Sequence, residues 1–85
     1  MPTIAIVDGV LILLYFNDHA PPHFHAQGAD FHARIRIDDG EVIDADGRIS
    51  ASHRRRLREW TLVHRTDLMD NWNRVRAGKV PRRLD

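Results

Sequence analysis

The sequence contains no cysteine, which excludes disulfide bonds and thiolate metal sites as sources of stability. A chain of 85 residues has room for one hydrophobic core. Such a chain buries only about 60–65% of the surface that its unfolded form exposes. We therefore predict one domain over residues 1–85, and assembly into a homo-oligomer would supplement its marginal stability.

The sequence also lacks a long hydrophobic run. The longest, Val10 to Phe16, is far below the roughly 20 residues that span a bilayer. The first basic residue is Arg34, so the charged region of a secretory signal is missing. Together with the absence of cysteine, these features predict a soluble, cytoplasmic protein with no membrane partner.

Charge is distributed unevenly along the chain, although the net charge is only +1. Up to Ile49 there are 3 basic and 8 acidic residues, whereas from Ser50 onward there are 10 basic and 4 acidic ones. This split indicates a nucleic-acid-binding face, a head-to-tail dimer, or two halves that neutralise each other.

Strand patterns occupy the amino-terminal half, over about residues 3–46. Asp8 and Gly9 form a strong turn pair between two apolar runs, which predicts a hairpin. Residues 31–37 alternate between apolar and polar side chains, as in a strand with one buried face. The pattern predicts a mostly antiparallel sheet of four or five strands.

Helix patterns occupy the carboxy-terminal half, over about residues 51–77. One apolar stripe persists for about five turns at 3.6 residues per turn, and it contains Leu57, Trp60, His64, Leu68, Trp72 and Val75. Ser50 or Ser52 would cap the start and Gly78 would end the helix. We predict an α+β fold in which the sheet packs against one long C-terminal helix, with a kink near Thr66 allowed. The short tail, residues 78–85, is expected to be solvated.

Histidines are concentrated in the segment from Asn17 to Ala26. His23 and His25 are two residues apart, so on a strand they project from the same face. Pro21 and Pro22 stiffen the approach to this pair, and His19 could return to meet it across the proline bend.

Three interpretations of these histidines remain open. His19, His23 and His25 could bind zinc or another divalent transition metal, with Asp18, Asp30 or His64 as an additional ligand or a supporting partner. Alternatively, His23, His25 or His64 could act as the catalytic acid or base of a hydrolase on a phosphodiester. In the third interpretation the rings are exposed or hydrogen-bond to the backbone, without catalytic function.

Arginines crowd the first turns of the predicted helix, where the helix dipole disfavours cations. Arg54, Arg55 and Arg58 lie there, and Arg65 follows on the same flank as Arg55 and Arg58. These residues could contact an acidic protein partner or the phosphates of RNA or DNA. Otherwise, the acidic residues from Asp38 to Asp46 neutralise them within the chain.

Motifs along most of the chain resemble a family of small bacterial proteins, the domain of unknown function number four-one-six-zero. The resemblance rests on Pro2–Ile4, Tyr15–His19, Pro21–His25 and the helical residues Trp60, His64, Leu68, Asn71 and Trp72. It implies a bacterial origin and a small protein partner, since family members are often encoded beside another small protein in arrangements similar to toxin–antitoxin pairs. We therefore expect one component of such a pair, binding protein or RNA. The alternative is a metal- or histidine-dependent, ribonuclease-like hydrolase.

Overall fold

The computed structural model describes residues 3–85, so Pro2 of the family motif and the start of the predicted domain lie outside the described residues. Five strands precede two helices along the chain. The strands are β1 (Thr3–Val7), β2 (Val10–Leu13), β3 (His23–Gln27), β4 (Phe31–Arg36) and β5 (Val42–Gly47). The helices are α1 (Ala51–Val63) and α2 (Arg65–Arg76). None of the helices in residues 3–85 is long and apolar enough to cross a membrane.

The strands form one antiparallel sheet in the order β1-β2-β3-β4-β5, which confirms the predicted α+β class and five-stranded sheet. Each strand pairs with the next one in sequence because short turns connect most of them. At the first turn, Asp8 and Gly9 have φ angles of 51° and 76°. Two consecutive positive φ angles are those of a type I′ hairpin turn, which Asp-Gly favours.

The sheet has one apolar face, which the helices cover. Phe24 and Ala26 of β3 lie opposite Ile35 and Ala33 of β4, and all four side chains are fully buried. They belong to one hydrophobic core with residues of both helices, namely Leu57, Leu68, Trp72 and Val75. We refer to this as the helix-covered face.

The prediction of one long helix is wrong, because the helix breaks at His64, two residues before the expected kink. His64 has φ −103° and ψ 17°, outside the helical region. Two side chains compete for carbonyl groups there: the hydroxyl of Thr61 donates to Leu57, and Nδ1 of His64 donates to Trp60. Such bonds from a side chain to the preceding turn bend helices, and the β-branched Thr61 and Val63 weaken this turn further.

The outer ends of the two helices follow the sequence expectation. The hydroxyl of Ser50 accepts a hydrogen bond from the backbone N–H of His53 at 3.0 Å, which caps α1. After α2, Gly78 adopts a φ of 76°, and the N–H of Lys79 donates to the carbonyl of Arg74 at 2.8 Å. This is the Schellman arrangement that a glycine at this position favours.

The tail docks on the protein through hydrogen bonds, although most of its residues are exposed. The buried amide of Asn71 exchanges two hydrogen bonds of 2.8 Å with the backbone of Arg82. Farther along, the N–H of Leu84 donates to the carbonyl of Ile4 at 2.7 Å, and a carboxylate oxygen of Asp85 accepts from the N–H of Ile6 at 2.9 Å. The tail thereby covers the edge of β1, which would otherwise present unpaired backbone groups.

Candidate functional site

The face of the sheet opposite Phe24 carries the two histidines of β3. His23 lies opposite Arg36 and His25 opposite Arg34, so these four residues project from the same face. We refer to this surface as the histidine face. Both rings are nevertheless almost fully buried, with side-chain exposures of 2% for His23 and 9% for His25.

Asp18 brings a carboxylate to this pair from the loop between β2 and β3. Its Oδ2 atom lies 3.2 Å from Nε2 of His23 and 2.9 Å from Nε2 of His25. One ligand atom from each of the three residues lies within 4.8 Å of the other two. We refer to Asp18, His23 and His25 as the Asp/His group. The Asp18 side chain is 22% exposed, so the group opens to solvent on its side.

His23 has an unusual hydrogen-bonding state. Its Nδ1 donates to the carbonyl oxygen of Pro21 at 2.8 Å, since a carbonyl can only accept. In the neutral ring Nε2 therefore carries a lone pair. Although Oδ2 of Asp18 is near, the two atoms are not aligned as a hydrogen bond, and Nε2 has no hydrogen-bond partner among residues 3–85. A buried ring nitrogen without a hydrogen-bond partner is unfavourable unless a proton donor or a metal ion satisfies its lone pair.

His25 has partners at both ring nitrogens. Nε2 bonds to Oδ2 of Asp18 at 2.9 Å, and Nδ1 bonds to Nε2 of His32 at 3.1 Å. Burial lowers the pKa of His25 below its usual value of 6.5 and outweighs the opposing effect of Asp18. At neutral pH the ring is therefore neutral, which is the state needed for a metal ligand or a general base.

Aromatic rings enclose the two imidazoles. Tyr15 packs edge-on against His25 with ring centroids 4.0 Å apart, and Trp72 of α2 lies 5.4 Å from His23. Packing on these sides limits the orientations that each imidazole can adopt. Such an arrangement can hold a cation or move a proton with little loss of side-chain freedom.

The structure brings together only part of the residue set that the sequence singled out. His23 and His25 meet, with Asp18 as the third group, whereas the exposed His19 is outside this group. His64 is also outside the group and lies at the break between the helices, where its ring stacks on Trp60 at 4.7 Å. The third member of the group is thus a carboxylate rather than a third imidazole.

The four arginines that the sequence singled out divide into two pairs. Arg58 lies 3.6 Å from Glu41 and Arg65 lies 2.7 Å from Asp38, so acidic residues of the first half neutralise both. Arg54 and Arg55 are exposed and form no ion pair within the described part of the chain. Only this second pair presents unbalanced positive charge at the start of α1.

Sequence reasoning missed His32 as a member of the site. A signal was present, because the polar residues of β4 alternate with apolar ones, and the polar set must share a face with the polar residues of β3. The register that pairs Gln27 with His32 places the latter diagonally next to His25. The sequence does not fix the length of the turn between β3 and β4, so His32 could not be identified as a neighbour of His25.

Comparisons with known proteins give one match. The sequence matches the family described as domain of unknown function (DUF4160) over residues 9–73. This range includes the Asp/His group, His32 and most of α2. Comparison with curated proteins gave no match, and comparison with solved structures gave none either. Because the match covers more than half of the sequence, the chain belongs to the DUF4160 family.

Proposed function

We propose that this protein binds a divalent transition metal ion through Asp18, His23 and His25 and uses it in hydrolysis. The observation that carries the proposal is the buried Nε2 of His23, which has no hydrogen-bond partner among residues 3–85 and lies 3.2 Å from a carboxylate oxygen. A metal ion bound by both atoms would satisfy this nitrogen and the carboxylate oxygen with coordinate bonds.

The spacing of the donor atoms fits a metal ion. In a tetrahedral zinc site with bonds of about 2.0–2.2 Å, neighbouring donor atoms are about 3.3 Å apart. Here the carboxylate oxygen lies 3.2 Å and 2.9 Å from the two imidazole nitrogens, close to this spacing, and the two nitrogens lie within 4.8 Å of each other. Two histidines and one carboxylate are also a donor set of catalytic zinc sites and of non-haem iron sites.

The hydrogen bonds behind the two imidazoles support the same proposal. Ligand histidines usually donate their second ring N–H to a fixed acceptor, which orients the ring and selects the tautomer. Pro21 provides such an acceptor for His23, with a carbonyl oxygen 2.8 Å from Nδ1. His32 provides one for His25, with Nε2 3.1 Å from Nδ1.

Three protein ligands leave a coordination position for water. A metal ion lowers the pKa of bound water to about 7, so that hydroxide forms near neutral pH. The guanidinium groups of Arg34 and Arg36 project from the histidine face, directly across from His25 and His23. Their partners, Asp44 and Asp39, form exposed ion pairs with which an anion can compete. These charges favour an anionic substrate such as an RNA phosphodiester.

Isothermal titration of tag-free, metal-free protein with Zn²⁺ tests the binding step. We expect one ion per chain for the wild type and at least about a 100-fold weaker affinity for Asp18→Asn, which keeps the shape of the side chain but loses its charge. Asp30→Asn, in the exposed turn before β4, is the matched control and should bind as the wild type does. Equal affinities of the wild type and Asp18→Asn would contradict the proposal.

Cleavage of a fluorescent RNA by the zinc-loaded protein tests the hydrolysis step. We expect cleavage by the wild type and none by His23→Phe. Zinc binding without any cleavage would restrict the proposal to metal binding. Unchanged cleavage in His23→Phe would identify a contaminating nuclease and would contradict a role for this site.

A second proposal is that the protein is an interaction module, one component of a toxin–antitoxin-like pair. The surface of α1 supports it, because Leu62 and Val63 are 49% and 80% exposed. Adjacent exposed apolar side chains are typical of protein contact surfaces. In this proposal Arg54 and Arg55 contribute the positive charge, which suits an acidic protein or RNA.

Co-expression with the protein encoded beside it tests this second proposal. A complex that survives gel filtration and dissociates in Val63→Asp would support it, and Val80→Asp, another exposed apolar position, is the control. Purification with neither the neighbouring protein nor RNA bound would count against it. The two proposals are independent, since no residue of the Asp/His group lies on α1.

A further inference from the structure

His32 connects the buried Asp/His group to the protein surface. One ring nitrogen of His25 bonds to Asp18 and the other bonds to Nε2 of His32, so the three side chains form a continuous series. His32 is exposed, whereas His25 is buried. Any change in the hydrogen bonding of His25 is therefore transmitted to a group that a ligand or partner can touch.

In the metal-free protein, the ionised carboxylate determines which atom donates in the hydrogen bond between His25 and Asp18 and, through it, in the bond between His25 and His32. An ionised carboxylate only accepts, so Nε2 of neutral His25 carries the proton and donates to Asp18. Nδ1 of His25 then has a lone pair, which can only accept from the Nε2–H of His32. The Nδ1 atom of neutral His32 is consequently a hydrogen-bond acceptor.

A metal ion reverses these directions. The ion uses the lone pair of Nε2 on His25, so the proton of this ring must be on Nδ1, which donates to Nε2 of His32. Because Nε2 of His32 now accepts, the proton of its ring is on Nδ1. Each ring keeps one proton, and exchange with water moves it from one nitrogen to the other.

We propose that metal binding at the Asp/His group converts the outer nitrogen of His32 from a hydrogen-bond acceptor into a donor, so that the surface beside His32 reports the metal state. This inference rests on the metal site proposed above. A ligand oxygen, from a phosphate or a carboxylate, binds this nitrogen only in the metal-loaded protein. His32 is thus a positioning residue for the metal. In addition, the nitrogen that carries the proton of its exposed ring depends on whether the metal is bound.

The positioning role predicts a graded effect on metal affinity. His32→Leu removes the acceptor behind His25 and should weaken zinc binding by about 10- to 100-fold. His32→Gln keeps an acceptor oxygen and should recover most of this loss. His19→Leu removes an exposed histidine outside the Asp/His group and should leave zinc affinity unchanged.

Nitrogen NMR of histidine-labelled protein tests the tautomer change directly. Spectra are recorded at about pH 8, where exposed histidines are neutral, before and after one equivalent of Zn²⁺. We expect the proton of His32 at Nε2 without zinc and at Nδ1 with zinc. A purely structural role of His32 would leave its tautomer unchanged.

The outcomes separate this inference from the metal site. If zinc binds, Asp18→Asn abolishes binding and His32 keeps one tautomer throughout, the inference is wrong and the metal site stands. If His32→Leu and His32→Gln both bind zinc as the wild type does, the positioning role is wrong. If the wild type binds no zinc, both the metal site and the inference are overturned.

Discussion

The two faces of the same sheet differ in what they contribute to the protein. On the helix-covered face, Phe24 packs against Trp60 of α1 with ring centroids 5.8 Å apart and is fully buried. On the histidine face, its neighbours His23 and His25 are also buried, but they lie beside a carboxylate as well as aromatic rings. One strand of five residues, β3, thus contributes to the apolar core on one face and carries two of the proposed metal ligands on the other.

Alternation along a strand is what allows this separation. Successive side chains point to opposite faces, so adjacent positions have different environments. If the comparison is right, substitutions on the helix-covered face change the free energy of unfolding and leave metal affinity intact. Substitutions on the histidine face change metal affinity and have a small effect on the unfolding of the metal-free protein.

The largest effect on stability is expected at Phe24. Phe24→Ala leaves a cavity in the core and should lower the free energy of unfolding by about 3–5 kcal/mol, measured by urea denaturation. Since a loss of this size approaches the total stability of a small domain, Phe24→Leu provides a milder second variant. Zinc affinity of folded Phe24→Leu should equal that of the wild type. A large decrease would show that substitutions on the helix-covered face also affect metal binding.

His23→Phe should give the opposite result. It removes a buried nitrogen that has no hydrogen-bond partner in residues 3–85 and replaces it with an apolar ring of similar shape. The free energy of unfolding of the metal-free protein should fall by about 0.5–1.5 kcal/mol, because the hydrogen bond from Nδ1 to the carbonyl of Pro21 is lost, whereas removal of the unpartnered Nε2 breaks no hydrogen bond. Zinc binding should be lost. A strong destabilisation without zinc would mean that Nε2 of His23 has a partner that stabilises the fold.

Asn71 tests whether a buried polar residue outside both faces affects the metal. Asn71→Ala removes two hydrogen bonds to the backbone of Arg82 and should lower the free energy of unfolding by about 1–3 kcal/mol. Asn71 adjoins Trp72, which packs on His23. Zinc titration of Asn71→Ala therefore shows whether the loss of these hydrogen bonds changes zinc affinity. We expect unchanged affinity, and a decrease would show that α2 and the tail help to position His23.

The smallest effect is expected from acidification of the metal-free protein. Burial lowers the pKa of His25 in the folded state, so the unfolded chain binds this proton more readily. The corresponding stability is present above about pH 6.5 and is lost as the pH falls toward the lower pKa of the folded state. Between about pH 7 and 5, the free energy of unfolding should fall less steeply in His25→Phe than in the wild type. Equal slopes would contradict a buried, neutral His25.

Local sequence patterns predicted the strands, the hairpin turn at Asp8–Gly9 and the ends of the helical region. These features depend on residues close in sequence, which is why they could be derived. The break at His64 was missed because it depends on side chains that compete for carbonyl groups within one turn. The docked tail was missed because its partners, Ile4 and Asn71, are distant in sequence from the residues that bind them.

For the site, strand alternation correctly placed His23 and His25 on one face. The position of Asp18 depends on the path of the loop between β2 and β3, and spacing alone does not determine that path. His32 required the register between β3 and β4. The two site residues on β3 were therefore predictable, whereas Asp18 and His32, which lie on other segments, were not.

The most direct measurement is the zinc content of tag-free wild type and Asp18→Asn after dialysis against a fixed free zinc concentration. The account predicts one zinc ion per wild-type chain and almost none in Asp18→Asn, with both proteins equally folded by circular dichroism. The same zinc content in the two proteins, or none in the wild type, would contradict a metal site built from Asp18, His23 and His25.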